Sequence, residues 1–172
     1  MGGAFYMKDK FNEDISGWDV SHVMDMSCMF SFASRFHADL SRWNVSNVRN
    51  MSYMFFDAIE FNGNLGRWNV KNVTNLSYIF SGASKFNGDL SHWDVGNVTR
   101  MNLMFCNAIN FNGDLSNWNV SNVTEMRGLF RGASQFNGDL SRWDVSSVTD
   151  MDGIFEGASH YQGVRWDVEN TN

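Results

Sequence analysis

Trp18, Trp43, Trp68, Trp93, Trp118 and Trp143 stand 25 residues apart without a slip. The same interval separates Phe11, Phe36, Phe61, Phe86, Phe111, Phe136 and Tyr161, and again Val20, Val45, Val70, Val95, Val120 and Val145. A period this strict marks a stack of one repeated unit, in which each unit touches only its neighbours and none buries its apolar side alone. Residues 1–172 therefore read as one elongated solenoid domain, with a partial first repeat over 1–10, six full repeats over 11–160 and a truncated last repeat over 161–172. Phe5 already occupies the place that Phe30 and Phe55 hold in later units, so the chain is expected to be a segment of a longer array.

Counting Phe11 as position 1, the first half of a unit carries Leu90, Trp93 and Val95, and the last two alternate with polar residues as in a strand with one buried face. The second half carries Val98, Met101, Met104, Phe105 and Ala108, spaced by the threes and fours of a helix. Gly82, Gly132 and Gly157, with Asn107 and Asp57 in the same column, suit a left-handed helix stop; Phe32 departs from that pattern. Asn62-Gly63, Asn87-Gly88, Asn112-Gly113 and Asn137-Gly138 signal the turn into the next unit. The expected fold is an α/β repeat solenoid, a leucine-rich-repeat-like stack of about six strand–turn–short-helix units with one parallel β-sheet.

The recurring string L-S-x-W-D/N-V-S-N-V-T-x-M-x-x-M-F-x-G-A-S-x-F-N-G-D, present from Phe5 to about Val168, resembles the BspA-like leucine-rich-repeat family in its Trp/Met/Phe-rich form. Bacterial surface proteins and mycoplasma-type lipoproteins carry that repeat in tandem. The resemblance implies a leucine-rich-repeat solenoid, a protein-binding or cell-adhesion role, and a place at the cell surface or outside the cell. It brings no catalytic residue to this chain. No secretory signal opens the sequence, which leaves a cytoplasmic place open. Two departures stand at the ends: Glu13 and Ile15 replace Gly and Leu, and Tyr161 to Val168 is two residues short before its Trp166. Ends without a clear polar cap make end-to-end self-association the competing expectation.

Composition narrows the function classes. The net charge is −6 with no basic stripe, which argues against nucleic-acid binding, and no apolar run reaches the ~20 residues of a membrane span. Cys28 and Cys106 fall three units apart, too far for a disulfide at about 5 Å per unit, and are expected to be free thiols. His22, His37, His92 and His160 occupy four different columns, and no Cys–His pair shares a site, so neither a zinc site nor a nucleophile–base pair is expected. An enzyme and a cofactor are not expected. Position 4 repeats Asp14, Asp39, Asn64, Asp89, Asp114 and Asp139. These side chains either cap their own turns or bind calcium between units; neutral Asn64 favours the turn role. Position 12 holds His22, Asn47, Asn72, Asn97, Asn122, Ser147 and then Asn170, whose asparagines are expected to form a buried internal ladder. The row Met24, Arg49, Thr74, Thr99, Thr124 and Thr149 is too broken for an ice-binding face.

Two surfaces are candidates for a protein or glycan ligand. The open sheet face presents Arg42, Arg67, His92 and Arg142 beside Asp19, Asn44, Asn69, Asp94, Asn119 and Asp144. Guanidinium groups there suit carboxylate, sugar or peptide oxygens, or pair across the face with each other's neighbours. On the helical side, Tyr53, Phe56, Ile59, Tyr78 and Leu103 form either an apolar contact patch or ordinary packing between units.

Overall fold

The computed structural model describes residues 1–166. Asp167 and Val168 of the shortened last repeat, and Asn170 of the Asn column, lie outside the described residues. The 25-residue period appears as a stack of coils, but the expected strand–helix unit is overturned. Among the described residues there is no helix and no strand, only one isolated parallel bridge per pair of coils, from Asp25↔Asn50 through Glu125↔Asp150. The leucine-rich-repeat solenoid with a parallel sheet is therefore not the architecture, and no helix here is long and apolar enough to cross a membrane.

Each coil is a ring of tight turns. In the fourth full repeat, N–H groups reach back three residues in Trp93→Leu90, Val98→Val95, Met104→Met101, Cys106→Leu103, Ala108→Phe105 and Phe111→Ala108. Apart from the Leu103–Cys106 turn, whose first residue is only half-buried, the first and last residues of these turns point inward, as Leu90, Trp93, Val95, Val98, Met101, Met104, Phe105, Ala108 and Phe111 are all buried. Their central residues, such as Ser91-His92 and Gly96-Asn97, lie outward. A chain of i-to-i+3 turns thus buries every third residue, which is why its apolar spacing imitates a helix. It forms none because the other N–H groups leave the coil. Met101, Leu103, Phe105 and Asn107 donate to Glu125, Arg127, Leu129 and Arg131 of the next coil at 2.7–2.9 Å. The Trp93–Val95 alternation comes from two successive turns and not from a pleated strand.

This zigzag requires two left-handed residues per coil. Position 22 is left-handed at Phe32, Asp57, Gly82, Asn107, Gly132 and Gly157; position 18 is so at Cys28, Tyr53, Tyr78, Leu103, Gly128 and Gly153. The first column was expected from its glycines, though it ends a turn and no helix. The second was not, because Tyr, Leu and Cys are poor residues for that region.

The core is made of stacked identical rings. Phe55, Phe80, Phe105 and Phe130 follow one another at 5.6–5.8 Å, and each lies 3.9 Å from the ring that opens the next repeat, as in Phe80–Phe86. Trp68, Trp93, Trp118 and Trp143 stack at 6.4–6.5 Å, nearly parallel. Each buried indole N–H donates to a carbonyl of the preceding coil, Trp93 to Leu65 at 3.0 Å. Trp18, in the first full repeat, is 43% exposed.

Two asparagine columns hold the outside. Asn47, Asn72, Asn97 and Asn122 donate their amides to carbonyls of the preceding coil at 2.7–2.8 Å, a ladder as expected but an exposed one. The Asn of each Asn-Gly pair forms a second ladder not foreseen from the sequence. Asn62, Asn87 and Asn112 accept the backbone N–H of the Asn one coil on. The glycine after it is not left-handed. A Cβ at Gly88 would lie 2.9 Å from the Phe86 ring, so glycine lets that ring lie flat on the backbone.

Candidate functional site

The position-4 column is built from local turns. Asp14, Asp39, Asn64, Asp89, Asp114 and Asp139 each accept the backbone N–H two residues on, at 2.9–3.1 Å. The neutral Asn64 makes the same bond as its charged neighbours, which identifies the column with turn formation. Among the described residues no group of three His, Cys, Asp or Glu is placed to hold a metal ion. Hydrogen bonds from Ser16 and Ser91 hold the carboxyls of Asp14 and Asp89 below the ordinary range, with the serine hydroxyl first and its backbone N–H second. At Asp39, Asp114 and Asp139 the backbone N–H of Ser41, Ser116 and Ser141 leads. A carboxyl lowered in the folded state contributes stability above the unfolded value of about 3.9, and loses it as pH falls through the folded value. The melting midpoint is therefore expected to hold from neutral pH to roughly pH 4 and to fall below it. Asp89→Asn keeps the acceptor and should flatten part of that fall. A midpoint unchanged down to about pH 2.5 would show that the turns do not depend on these charges.

The polar candidate surface is exposed, but it is not a sheet face and half of it is committed to its own backbone. Arg42, Arg67, His92 and Arg142 all face solvent. Beside them, Asp19, Asn44, Asn69, Asp94, Asn119 and Asp144 each spend one side-chain oxygen on the N–H two residues on, at 3.0–3.2 Å. This column repeats the position-4 device, and no ion pair joins it to the arginines among the described residues. Since Arg67 is exposed and outside those pairs, Arg67→Ala is expected to change stability by less than about 0.5 kcal/mol. A larger loss in urea unfolding would mean that its alkyl stem carries packing.

The apolar candidates are brought together more closely, and with two residues the sequence reading did not include. Tyr53 and Tyr78 stack at 4.3 Å and 9°. Phe56 packs against both, at 5.6 and 6.2 Å. Phe32 meets Phe56 at 5.1 Å, and Tyr6 meets Phe32 at 5.9 Å. Tyr6 is 45%, Phe32 38% and Tyr53 36% exposed. Ile59 is exposed but joins no ring, and Leu103 is half-buried against Gly128. The result is an aromatic ledge crossing four successive coils. Tyr6 shares its column with Phe56 and otherwise with Ser31, Ser81, Cys106, Arg131 and Glu156, and Phe32 stands where later coils have Asp, Asn or Gly, which is the signal that could have found them. In the C-terminal coils the neighbouring and equivalent columns carry ion pairs instead: Arg100–Glu125 at 3.2 Å, Arg127–Asp152 at 3.0 Å and Arg131–Glu156 at 3.1 Å. Column 21 thus changes from aromatic at Tyr6 and Phe56 to charged at Arg131 and Glu156, although the first half also holds the Lys85–Glu60 pair.

The backbone under the ledge is unfavourable for the residues it carries. Phe32 sits at φ 60°, Tyr53 at 59° and Tyr78 at 62°, whereas the same columns later hold Gly82, Gly132, Gly157, Gly128 and Gly153. A left-handed non-glycine residue costs on the order of 1 kcal/mol or more. Glycine forms the same turn in the sister coils, so the turn itself does not require an aromatic side chain.

Cys28 and Cys106 are free thiols, as expected. Burial pushes both up from the ordinary thiol value, foremost by desolvation, and so away from a reactive thiolate.

Neither the comparison with curated proteins nor that with solved structures gives a match. A family match does cover the chain twice in tandem, over residues 1–93 and 85–172. It reaches a Mycoplasma repeat family and stops short of the BspA-like leucine-rich-repeat family that the sequence resembles. The chain belongs to the family described as Mycoplasma protein of unknown function, DUF285.

Proposed function

We propose that the chain is a non-enzymatic binding module of a repeat-containing surface protein, and that it meets a protein partner through the aromatic ledge of Tyr6, Phe32, Phe56, Tyr53 and Tyr78. The observation that carries this reading is the contrast within single columns. Phe32, Tyr53 and Tyr78 are large aromatic side chains, partly exposed and on left-handed backbone, where glycine serves the fold elsewhere. Strain held at exposed residues that packing does not demand is the ordinary mark of a contact site. A rigid stack with a continuous core supplies the fixed geometry such a site needs, and a surface location outside the cell follows from this reading.

The variants that test it preserve the fold. Phe32→Gly and Tyr53→Gly install the residue that the sister coils already use, so the pair is expected to melt no lower than the parent. Binding of the parent and the double variant to a panel of immobilised host surface and matrix proteins is read by interferometry. Saturable binding to at least one panel member, reduced at least tenfold in the folded double variant, is the expected result. Equal binding by both would remove the ledge from the function, and no binding at all would remove the adhesion reading.

A further inference from the structure

We propose that the groove framed by Tyr6, Phe32, Tyr53 and Phe56 is an aromatic box that accepts an arginine side chain of a partner protein. This rests on the contact-surface reading above and names the chemistry of the partner.

Ring geometry is the first ground. In the core, Phe55, Phe61, Phe80 and Phe86 lie within 8° of parallel, as flat stacks do. On the ledge, Phe32 stands at 73° to Phe56, Tyr6 at 83° to Phe32 and Tyr53 at 57° to Phe56. Tyr53 and Tyr78 lie flat on one another at the edge of the ledge, but the four rings that line the groove meet at these steep angles. Between them lies a groove of about 320 Å³, completed by Cys28 and Ser31. A planar, weakly hydrated guanidinium is the charged group best suited to stacking on aromatic faces, whose π-electrons attract a cation.

Charge is the second ground. No Lys, Arg or His lines the groove. The charge of Asp25 reaches the Cys28 thiol on its wall, while that carboxylate also faces the Met1 ammonium and accepts the Ser27 N–H at 2.8 Å. The groove is thus lined by no cation, in a chain of net charge −6.

Area is the third ground. With each ring offering 150–250 Å² and a little under half of it exposed, the ledge presents on the order of 300 Å². A stable dimer face needs about 800 Å² per partner, so a second copy seated here would be held by less than half of that. One anchoring side chain with its neighbours fits the area.

The test titrates the full chain with N-acetyl-arginine amide and, separately, with N-acetyl-citrulline amide, which has the same shape without the charge. Aromatic NMR signals report the site. Saturable shifts at Tyr6, Phe32 and Tyr53 are expected with arginine, with citrulline weaker by at least about fivefold, the equivalent of about 1 kcal/mol of cation–π attraction. Phe32→Gly should abolish the arginine response while the core Trp signals stay in place. Equal affinity for the two amides would overturn the cation reading and leave an apolar contact surface standing. An arginine response unchanged in Phe32→Gly would place the cation elsewhere and overturn the box. Absence of shifts with both amides would also overturn it, while the panel binding above would still decide the contact surface on its own.

Discussion

Trp93→Ala is expected to lower the unfolding free energy by about 3–5 kcal/mol, near the top of the range for a single core substitution. The indole is 3% exposed and lies between Trp68 and Trp118, at 6.5 and 6.4 Å, with Phe80 at 6.2 Å. Alanine would empty that space, and neither neighbour could move in without breaking its own register along the column. It would also leave the Leu65 carbonyl without the indole N–H that it accepts at 3.0 Å. Trp93→Phe separates the two losses. It keeps much of the ring contact and forfeits the hydrogen bond, so it should cost about 1–3 kcal/mol. Urea unfolding followed by fluorescence reads both. Because each coil touches only its neighbours, the Ala variant is also expected to unfold in a broader transition, as coupling through the middle of the stack weakens. A midpoint at the parent value would show that the tryptophan column does not carry the core.

The period and the inward columns were legible because they are set by burial. A residue that must face the core in one coil must do so in every coil, so Trp, Val, Phe and Met recur at fixed positions and can be read without knowing the backbone. The backbone itself was misread. An apolar residue at every third place is produced equally by a helix and by a chain of tight turns. The two differ only in where the intervening N–H groups go, and here they go to the next coil. The residues that decide the matter are the left-handed ones. Position 22 showed itself through Gly82, Gly132 and Gly157, but position 18 is Tyr53, Tyr78 and Leu103 through the middle of the stack, types that signal nothing of the kind. For the same reason the contact surface was half legible. Tyr53, Phe56 and Tyr78 were recognised as an aromatic excess within their columns. Phe32 and Tyr6 were not joined to them, because only the turn geometry carries positions 21 and 22 of one coil onto the ring of the next. The polar surface was placed outward as expected, but its Asp and Asn members serve their own turns, a local bond that a reading of surface chemistry overlooks.

The left-handed columns also carry the second large expected effect. Gly82→Val should cost about 2–4 kcal/mol, the sum of a backbone term and a clash. Gly82 holds φ 73° as the third residue of the Phe80–Ala83 turn, and its N–H donates to Cys106 at 2.7 Å, so the conformation is fixed from both sides. A β-branched residue is among the worst for this region. Its Cβ would also fall 1.9 Å from Oδ1 and 3.0 Å from Cγ of Asp57, whose side chain leans over the glycine. Asp57→Gly makes the two terms separable. That residue is itself left-handed, at φ 52°, and burial raises its carboxyl, so glycine there should be neutral or mildly stabilising. If the clash contributes, the double variant will recover at least about 1 kcal/mol over the sum of the single changes, leaving only the backbone term. Additive effects in urea unfolding would assign the whole loss to φ. A Gly82→Val variant as stable as the parent would mean that the turn does not need its left-handed residue. The aromatic side chains at Phe32, Tyr53 and Tyr78 would then sit on their backbone at no cost, and the argument that they are held there for a partner would lose its footing.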